Sequence, residues 1–124
     1  MEILQSPNIP VPKGHYSPAI SHNGLLYISG QLPYDPENQS SPEGIEAQTL
    51  ATLEKMDVLL REAGTTRSKV LQCRIYISDV NLWGKVNEVY ASFFGNHKPV
   101  RCVVPVIQLH YGCLFEIEAL AVIV

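Results

Sequence analysis

Apolar positions that recur every third or fourth residue mark one long segment of the chain, from Ile45 to Ala63. Residues at this spacing share one face of an α-helix and can pack together against a core. Gly64 follows at the position where a residue in the left-handed conformation ends many helices. We therefore predict an amphipathic helix that ends at Gly64. The residues on its apolar face are Ile45, Thr49, Leu53, Met56, Leu60 and Ala63.

A second segment with helical spacing runs from about Leu82 to Phe94. Either Asp79 or Asn81 suits its N-cap, because a short polar side chain can accept a hydrogen bond from a free backbone N–H of the first turn. We predict a second helix here. Its apolar side consists of Trp83, Val86, Val89, Tyr90 and Phe93.

The other apolar segments are rich in the β-branched and aromatic residues that favour strands. The pair Asn23-Gly24, which is common in tight hairpin turns, separates the first two segments. Pro105 falls inside the fourth, where a proline is tolerated at a sheet edge or a bulge. The predicted strands are Tyr16–Ser21, Leu25–Gln31, Val70–Ser78, Val100–Leu109 and Leu114–Val124.

Prolines and polar residues predict the connecting segments. The prolines before Lys13 favour an extended arm at the N-terminus, and the composition of Leu32–Glu43 predicts a loop. His110-Tyr111-Gly112 is interpreted as a hairpin turn between the last two strands.

The order of these elements is a hairpin, a helix, a strand, a helix and two strands. Strands that are joined through helices need crossover connections, so we expect an α+β fold with a mixed sheet and both helices on one face. The last strand is apolar on both sides except at Glu116 and Glu118. We therefore place it in the centre of the sheet, and we expect other copies of the chain to cover the second face.

Length and composition narrow the class of protein. The chain has 124 residues, of which 46% are hydrophobic and 17% charged. We expect one globular domain, residues 1–124, and a cytoplasmic protein, because neither a signal peptide nor an apolar span of about 18 residues is evident. A net charge of −3 without a basic run argues against a nucleic-acid partner.

Cysteines and sequence motifs give no sign of a metal or a cofactor. The three cysteines have no CxxC spacing, and we interpret each as a small buried hydrophobe. The four histidines show no HxH or HxxxH spacing, and the chain lacks GxGxxG, P-loop and GxSxG motifs. We predict neither a metal site nor a cofactor.

Arg101 is the first candidate for chemistry, because it lies among apolar residues in a predicted strand. A guanidinium in such surroundings requires an anion, and its planar fork of donors fits a carboxylate. A small acid substrate could supply that group. A structural salt bridge to an acidic residue of this or another subunit explains the arginine equally well.

Glu116 and Glu118 are the second candidates, since the two-residue period of a strand places both carboxylates on the same face. One of them could pair with a cation, while the other could hold or activate a water molecule if burial raises its pKa. Partnered ion pairs, or an exposed strand end, would account for both residues without any catalysis.

Two further short segments could contribute to a cleft. In Ser29-Gly30-Gln31 a glycine would let a ligand approach the backbone, and the serine hydroxyl can both donate and accept a hydrogen bond. His15 and Tyr16 could add an imidazole or a phenol. The residues alone favour a simpler interpretation, in which the first segment is a plain strand end and the second a plain strand start.

Taken together, these segments resemble signature segments of the YjgF/YER057c/UK114 family, the Rid proteins, in the same order along nearly the whole chain. The matching segments are Gly14-His15-Tyr16-Ser17, Ile28-Ser29-Gly30-Gln31-Leu32-Pro33, Val100-Arg101 and 115–121 (FEIEALA). The resemblance implies a chorismate-mutase-like fold and a homotrimer with a central β-barrel, whose clefts lie between neighbouring subunits.

The resemblance also implies an activity, the deamination of small reactive enamine or imine acids of the 2-iminopropanoate or 2-iminobutanoate type. The products are a 2-oxo acid and ammonia, and no cofactor takes part. By the same resemblance Arg101 corresponds to the residue that binds the substrate carboxylate, and Glu116 to the acid that positions or activates water. Residues near the cleft would be Tyr16, Ser29, Gly30 and Asn87.

Several positions depart from the family pattern. Val103 stands where a cysteine is common, with Cys102 beside it on the other face of the strand, and His15 and His110 replace usual prolines. These departures leave the substrate open. The alternatives to a deaminase are a small-acid sensor without catalysis, a ribonuclease or translation inhibitor, and a purely structural trimer.

Overall fold

A computed structural model describes residues 1–123, and at its centre is a six-stranded mixed sheet. In chain order the elements are β1 (Glu2–Ile3), β2 (Ala19–His22), β3 (Leu25–Gln31), α1 (Ile45–Glu62), β4 (Val70–Ile77), α2 (Trp83–Phe94), β5 (Val100–Pro105) and β6 (Phe115–Val122). The strand order is β1-β2-β3-β6-β4-β5. Strand β6 is antiparallel to both of its neighbours, whereas β4 and β5 are parallel. This arrangement confirms the predicted α+β class and the central place of the last strand.

The two helices cover one face of the sheet, which we call the helix face, and the other we call the open face. Buried residues alternate with partly exposed ones along the whole of β6, as the period of a strand requires. Side chains of α1 and α2 join the sheet in a single apolar core. The buried sheet residues of this core include Leu26, Ile28, Cys73, Ile75, Ile77, Phe115, Ile117 and Ala121.

Hydrogen bonds from α1 fix the loops around the sheet. The buried Gln48 donates to Pro42 O at 3.0 Å and accepts from Leu114 N at 2.8 Å, so it joins the loop before α1 to the start of β6. Lys55 donates to Leu32 O at 2.8 Å and to Tyr34 O at 2.6 Å. Both ends of the loop after β3 are therefore attached to α1.

Several predicted boundaries were wrong. The first strand begins at Ala19 rather than Tyr16, and the fifth ends at Pro105 rather than Leu109. The N-terminal arm also contributes β1, which pairs with β2 through two residue pairs. The expected hairpin turn at residues 110–112 is a turn of 3-10 helix, with Tyr111 at φ 60°. The last residue of the predicted final strand, Val124, lies outside the described residues.

The caps were predicted in part. Gly64 has φ +81° just after α1, as expected. Asp79 accepts a hydrogen bond from Asn81 N at 2.8 Å, but the bond caps a short 3-10 turn at Val80–Leu82 that leads into α2. Among residues 1–123, no helix has both the length and the hydropathy needed to cross a membrane.

Two glycines provide a test of the helix assignments, because alanine should act in opposite directions at them. Gly64→Ala should lower the free energy of unfolding by about 1 kcal/mol, since alanine is strained at positive φ. Gly84→Ala, in the first turn of α2 with open space around its Cα, should raise it by up to about 1 kcal/mol. Urea unfolding of both variants measures this, and effects of the same sign would contradict the two backbone assignments.

Candidate functional site

Arg101 is the second residue of β5, and its side chain lies on the helix face. In the parallel β4–β5 pair Arg101 is opposite Cys73, which is fully buried, and Cys73 is in turn opposite Ala119 of β6. Residues directly opposite one another in a sheet project to the same side. The guanidinium therefore meets α2 at the edge of the sheet.

Polar and aromatic side chains of α2 surround this guanidinium. Its Nη2 donates a hydrogen bond to Asn87 Oδ1 at 2.7 Å. The guanidinium carbon lies 4.7 Å from the centre of the Tyr90 ring and 5.8 Å from that of Trp83. Asn87 was among the predicted cleft residues, whereas the two aromatic contacts were not expected.

No carboxylate of residues 1–123 forms an ion pair with Arg101. A salt bridge within residues 1–123 therefore does not explain the arginine, and the alternative of a salt bridge to another subunit stays open. Asn87 is neutral and accepts one of the five donors of the guanidinium, so the charge is not compensated there. Arg101 is partly exposed, and its bond to Asn87 is the one side-chain hydrogen bond that its guanidinium forms with residues 1–123.

Glu116 lies on the open face, in a cleft of about 340 Å³. It is opposite Tyr76 of β4, and its carboxylate lies directly against Gly30 of β3. A Cβ on Gly30 would overlap Oε2 of Glu116, so the carboxylate can occupy this place only because residue 30 is a glycine. Other residues that line the cleft are Val106, Gln108, Leu109 and Glu118.

The pKa of Glu116 is raised above its usual value, mainly because burial disfavours the charged form. The nearby His110 opposes the shift, and the negative charge of Glu118 adds to it. A carboxyl group with a raised pKa beside an open cleft is suited to exchange protons with a bound water.

Glu118, two residues further along β6, is instead held by partners. Tyr76 donates its phenol to Glu118 Oε1 at 2.7 Å, and Arg74 Nη1 lies 3.7 Å from the same oxygen. The hydrogen bond to this carboxylate raises the pKa of Tyr76 to about 12. Glu118 is thus paired with a cation, whereas Glu116 lies next to the solvent of the cleft.

A second cleft on the open face, of about 370 Å³, contains Tyr16 and Ser29. Tyr16 is more than half exposed, and the Ser29 hydroxyl donates to Ser17 O at 2.6 Å. Glu118 lines this cleft as well as the first one. The structure therefore brings Tyr16, Ser29, Gly30 and Glu116 to neighbouring parts of one surface.

The predicted site residues form two groups that a single chain does not bring together. Arg101 and Asn87 lie on the helix face, and the other four lie on the open face. Glu116 is opposite Tyr76 of β4, and Arg101 is opposite Cys73 of the same strand. Because Tyr76 and Cys73 are three residues apart, the two pairs project to opposite faces of the sheet. One chain alone cannot place Arg101 and Glu116 around the same small molecule.

The sequence did not reveal several residues around these groups. Gln108 and Leu109 were assigned to a strand, but they belong to the loop after β5 that lines the Glu116 cleft. Trp83 and Tyr90 were assigned to an apolar helix side, and nothing in that pattern shows which strand residue they contact. The helical spacing of residues 83, 87 and 90 was the available signal.

Of the positions that depart from the family pattern, two lie on β5 and two lie in connecting segments. Val103 shares the helix face with Arg101, and Cys102 is exposed on the other side of the strand, as predicted from its position. The expectation that all three cysteines are buried was wrong for Cys102 and right for Cys73 and Cys113. His110 is exposed and close enough to Glu116 to lower its pKa, while His15 is exposed beside Tyr16.

Comparison with known proteins agrees with this fold. A family model described as Endoribonuclease L-PSP matches residues 6–123. The chain has a TM-score of 0.91 and 39% identity to the crystal structure of YyfA from Yersinia pestis, a protein of unknown function of the Rid family, over 98% of each chain. The chain therefore belongs to the YjgF/RutC family, which includes the Rid proteins.

Curated relatives match over almost the full length. A RutC family protein of Pyrococcus horikoshii is 40% identical over 97% of this chain and 96% of its own. A rat protein named 2-iminobutanoate/2-iminopropanoate deaminase is 31% identical over 98% of this chain and 89% of its own. The family thus contains imine deaminases as well as members that are named by family alone.

Gly30→Ala tests the contact between Gly30 and Glu116. The added methyl group should push the carboxylate out toward water, so the pKa of Glu116 should fall toward its usual value while the fold survives. Carbon-13 NMR titration of the Glu116 carboxyl group measures this pKa. Gly84→Ala is the control, and an unchanged Glu116 pKa in Gly30→Ala would contradict the proposed contact.

The pH dependence of stability tests the raised pKa of Glu116. Below the unfolded-state pKa of about 4.3, Glu116 is protonated in both the folded and the unfolded state, so its ionisation does not change the free energy of unfolding. Above it the folded state must bury a charge, so wild type loses stability relative to Glu116→Gln until the pH passes the raised folded pKa. The advantage of Glu116→Gln in urea unfolding should therefore grow from pH 4 to pH 7.

Gln108→Ala is the control for this measurement, because it changes the same cleft without removing a titrating group. Its effect on the free energy of unfolding should be the same at both pH values. An advantage of Glu116→Gln that shrinks as the pH rises would show that the pKa is not raised.

Proposed function

We propose that this protein hydrolyses small imine or enamine acids, such as 2-iminopropanoate or 2-iminobutanoate, to 2-oxo acids and ammonia. The observation that carries the proposal is an arginine without a carboxylate partner among residues 1–123, in a chain that also has a carboxyl group of raised pKa at a cleft. The name of the rat relative supports the same reaction. The reaction requires neither a metal nor an organic cofactor.

Arg101 would bind the substrate carboxylate through the donors that Asn87 leaves available. A bidentate contact of this kind fixes the orientation as well as the position of a small planar acid. The imine carbon, which is bonded to the carboxylate carbon, would then be held at a defined distance from the guanidinium. Tyr16 and Ser29 would line the cleft around the substrate, next to the backbone of Gly30.

Glu116 would act first as a general base and then as a general acid. It accepts a proton from a water molecule as the water oxygen bonds to the imine carbon, which becomes tetrahedral. It then returns that proton to the nitrogen, which gives a carbon that carries a hydroxyl and an amino group. Glu116 next carries the hydroxyl proton to the amino group, and the carbon–nitrogen bond breaks as the 2-oxo acid forms and ammonia leaves. A raised pKa suits a group that must both take up and release a proton.

The site would be completed by a second copy of the chain, because Arg101 and Glu116 lie on opposite faces of one sheet. The open face carries exposed apolar and aromatic surface, which includes the half-exposed Tyr27 beside Leu120. Such a surface is suited to burial against another copy. We therefore infer a cyclic assembly, a homotrimer by resemblance, in which Arg101 of one subunit faces the open-face cleft of its neighbour.

Mixing two inactive variants tests both the residues and the composite site. Arg101→Ala should raise the KM for enzymatically generated 2-iminopropanoate by about 100-fold, the loss of one charged hydrogen-bonded pair. Glu116→Gln should lower kcat by about 100-fold or more. Variants unfolded together and refolded as mixed trimers should regain up to about one quarter of the wild-type sites, because some interfaces then combine both native residues.

The double variant Arg101→Ala/Glu116→Gln, refolded with wild type in the same proportion, is the matched control for random assembly. Ammonia and 2-oxo acid are measured against the spontaneous rate. No recovery from the mixture of single variants would place both residues in one chain's site. Wild type that binds a 2-oxo acid but does not accelerate imine hydrolysis would refute the deaminase and favour the small-acid sensor.

A further inference from the structure

A stripe of side chains along α2, at positions 83, 87 and 90, faces the guanidinium of Arg101. We propose that Tyr90 is a positioning residue for Arg101: the face of its ring fixes the guanidinium while leaving the guanidinium donors available to a substrate carboxylate. The identity of that anion rests on the proposed function, whereas the positioning itself does not.

Tyr90 is a firm support because it is almost completely buried. It is 6% exposed, and its ring packs at 4.7 Å against the ring of Phe94 one helical turn further on. The spacing from Trp83 to Asn87 to Tyr90 is four and then three residues, which keeps all three on one side of the helix. The contact with Arg101 is therefore built from a rigid element rather than from a loop.

A ring face can hold a cation without consuming its hydrogen-bond donors. The π-electrons attract the guanidinium carbon, 4.7 Å away, while the N–H groups point outward in the plane of the guanidinium. A carboxylate in the same place would have neutralised the charge and occupied those donors. Aromatic support thus explains how Arg101 can be held in place and still bind an external acid.

The hydroxyl group of Tyr90 is not part of this interaction. It is buried and has no hydrogen-bond partner among residues 1–123, although the thiol of Cys73 is its neighbour. Burial strongly raises the pKa of this hydroxyl, so the residue remains neutral and interacts with Arg101 through its ring. A phenylalanine should then support the arginine nearly as well as the tyrosine does.

The first test compares Tyr90→Leu with Tyr90→Phe, with Phe94→Leu as a control that removes a buried ring of the same cluster. Tyr90→Leu should raise the KM for 2-iminopropanoate and the Kd for pyruvate about tenfold, and kcat should stay within about twofold. Tyr90→Phe should restore both constants to within about threefold of wild type. A loss in Tyr90→Leu no larger than in Phe94→Leu would overturn the proposal.

The second test does not depend on the proposed function. The Nε–H resonance of Arg101, recorded by proton–nitrogen NMR without ligand, should show an upfield ring-current shift in wild type and Tyr90→Phe and lose it in Tyr90→Leu. This readout stands even where wild type shows no deaminase activity, so failure of the function and failure of the positioning are distinguishable. An Arg101 resonance that is the same in all three proteins would overturn the proposal.

Fluorinated phenylalanines at position 90 avoid the risk that Tyr90→Leu does not fold. Each ring fluorine reduces the negative charge on the ring face and changes its size little. The Kd for pyruvate should therefore rise stepwise with the number of fluorines. A Kd that does not depend on fluorination would mean that the ring acts by packing alone, against the proposal.

Discussion

The two-residue period of the central strand β6 is the constraint on which the rest of the structure depends. One side of this strand supplies Phe115, Ile117 and Ala121 to the core, and the other carries Glu116 and Glu118 to the open face. Because the helices cover one side, a carboxylate can be placed near solvent only on the other. The same rule, acting through β4 and β5, sends Arg101 toward α2.

The environments of the charged groups then follow from what lies on each face. On the open face Glu118 meets Arg74 and Tyr76, while Glu116 lies against the bare backbone of Gly30. On the helix face Arg101 meets rings and an amide. Glu118 is thus held by a cation and a phenol, whereas burial biases Glu116 toward its neutral form by raising its pKa.

Elements with strong local signals could be predicted from sequence, and elements decided by distant partners could not. The bounds of β3 and the end of α1 followed from Asn23-Gly24 and Gly64, which act on their own neighbours in the chain. Strand β1 is two residues long and exists through its pairing with β2, so no local pattern marks it. The start of β2 likewise depends on the register that its partners impose.

The candidate site shows the same division. The shared face of Glu116 and Glu118 follows from counting residues along one strand. The orientation of Cys102, on the face of β5 opposite to Arg101, follows in the same way. The contacts of Arg101 with Asn87 and Tyr90 join β5 to α2 across ten or more residues of intervening chain. The resemblance gave Asn87, but not Tyr90, as a residue near the cleft. The position of the Glu116 carboxylate against Gly30 likewise joins two strands that are distant in sequence.

The separation of Arg101 from Glu116 by one sheet has a consequence for the protein at low concentration. A newly made chain would carry every residue of the proposed reaction and yet be inert, because its sheet stands between them. Activity per chain would rise with total concentration until assembly is complete, so dissociation would act as an off state that needs no inhibitor. In the proposed assembly, loss of the contacts between subunits would be enough to abolish activity.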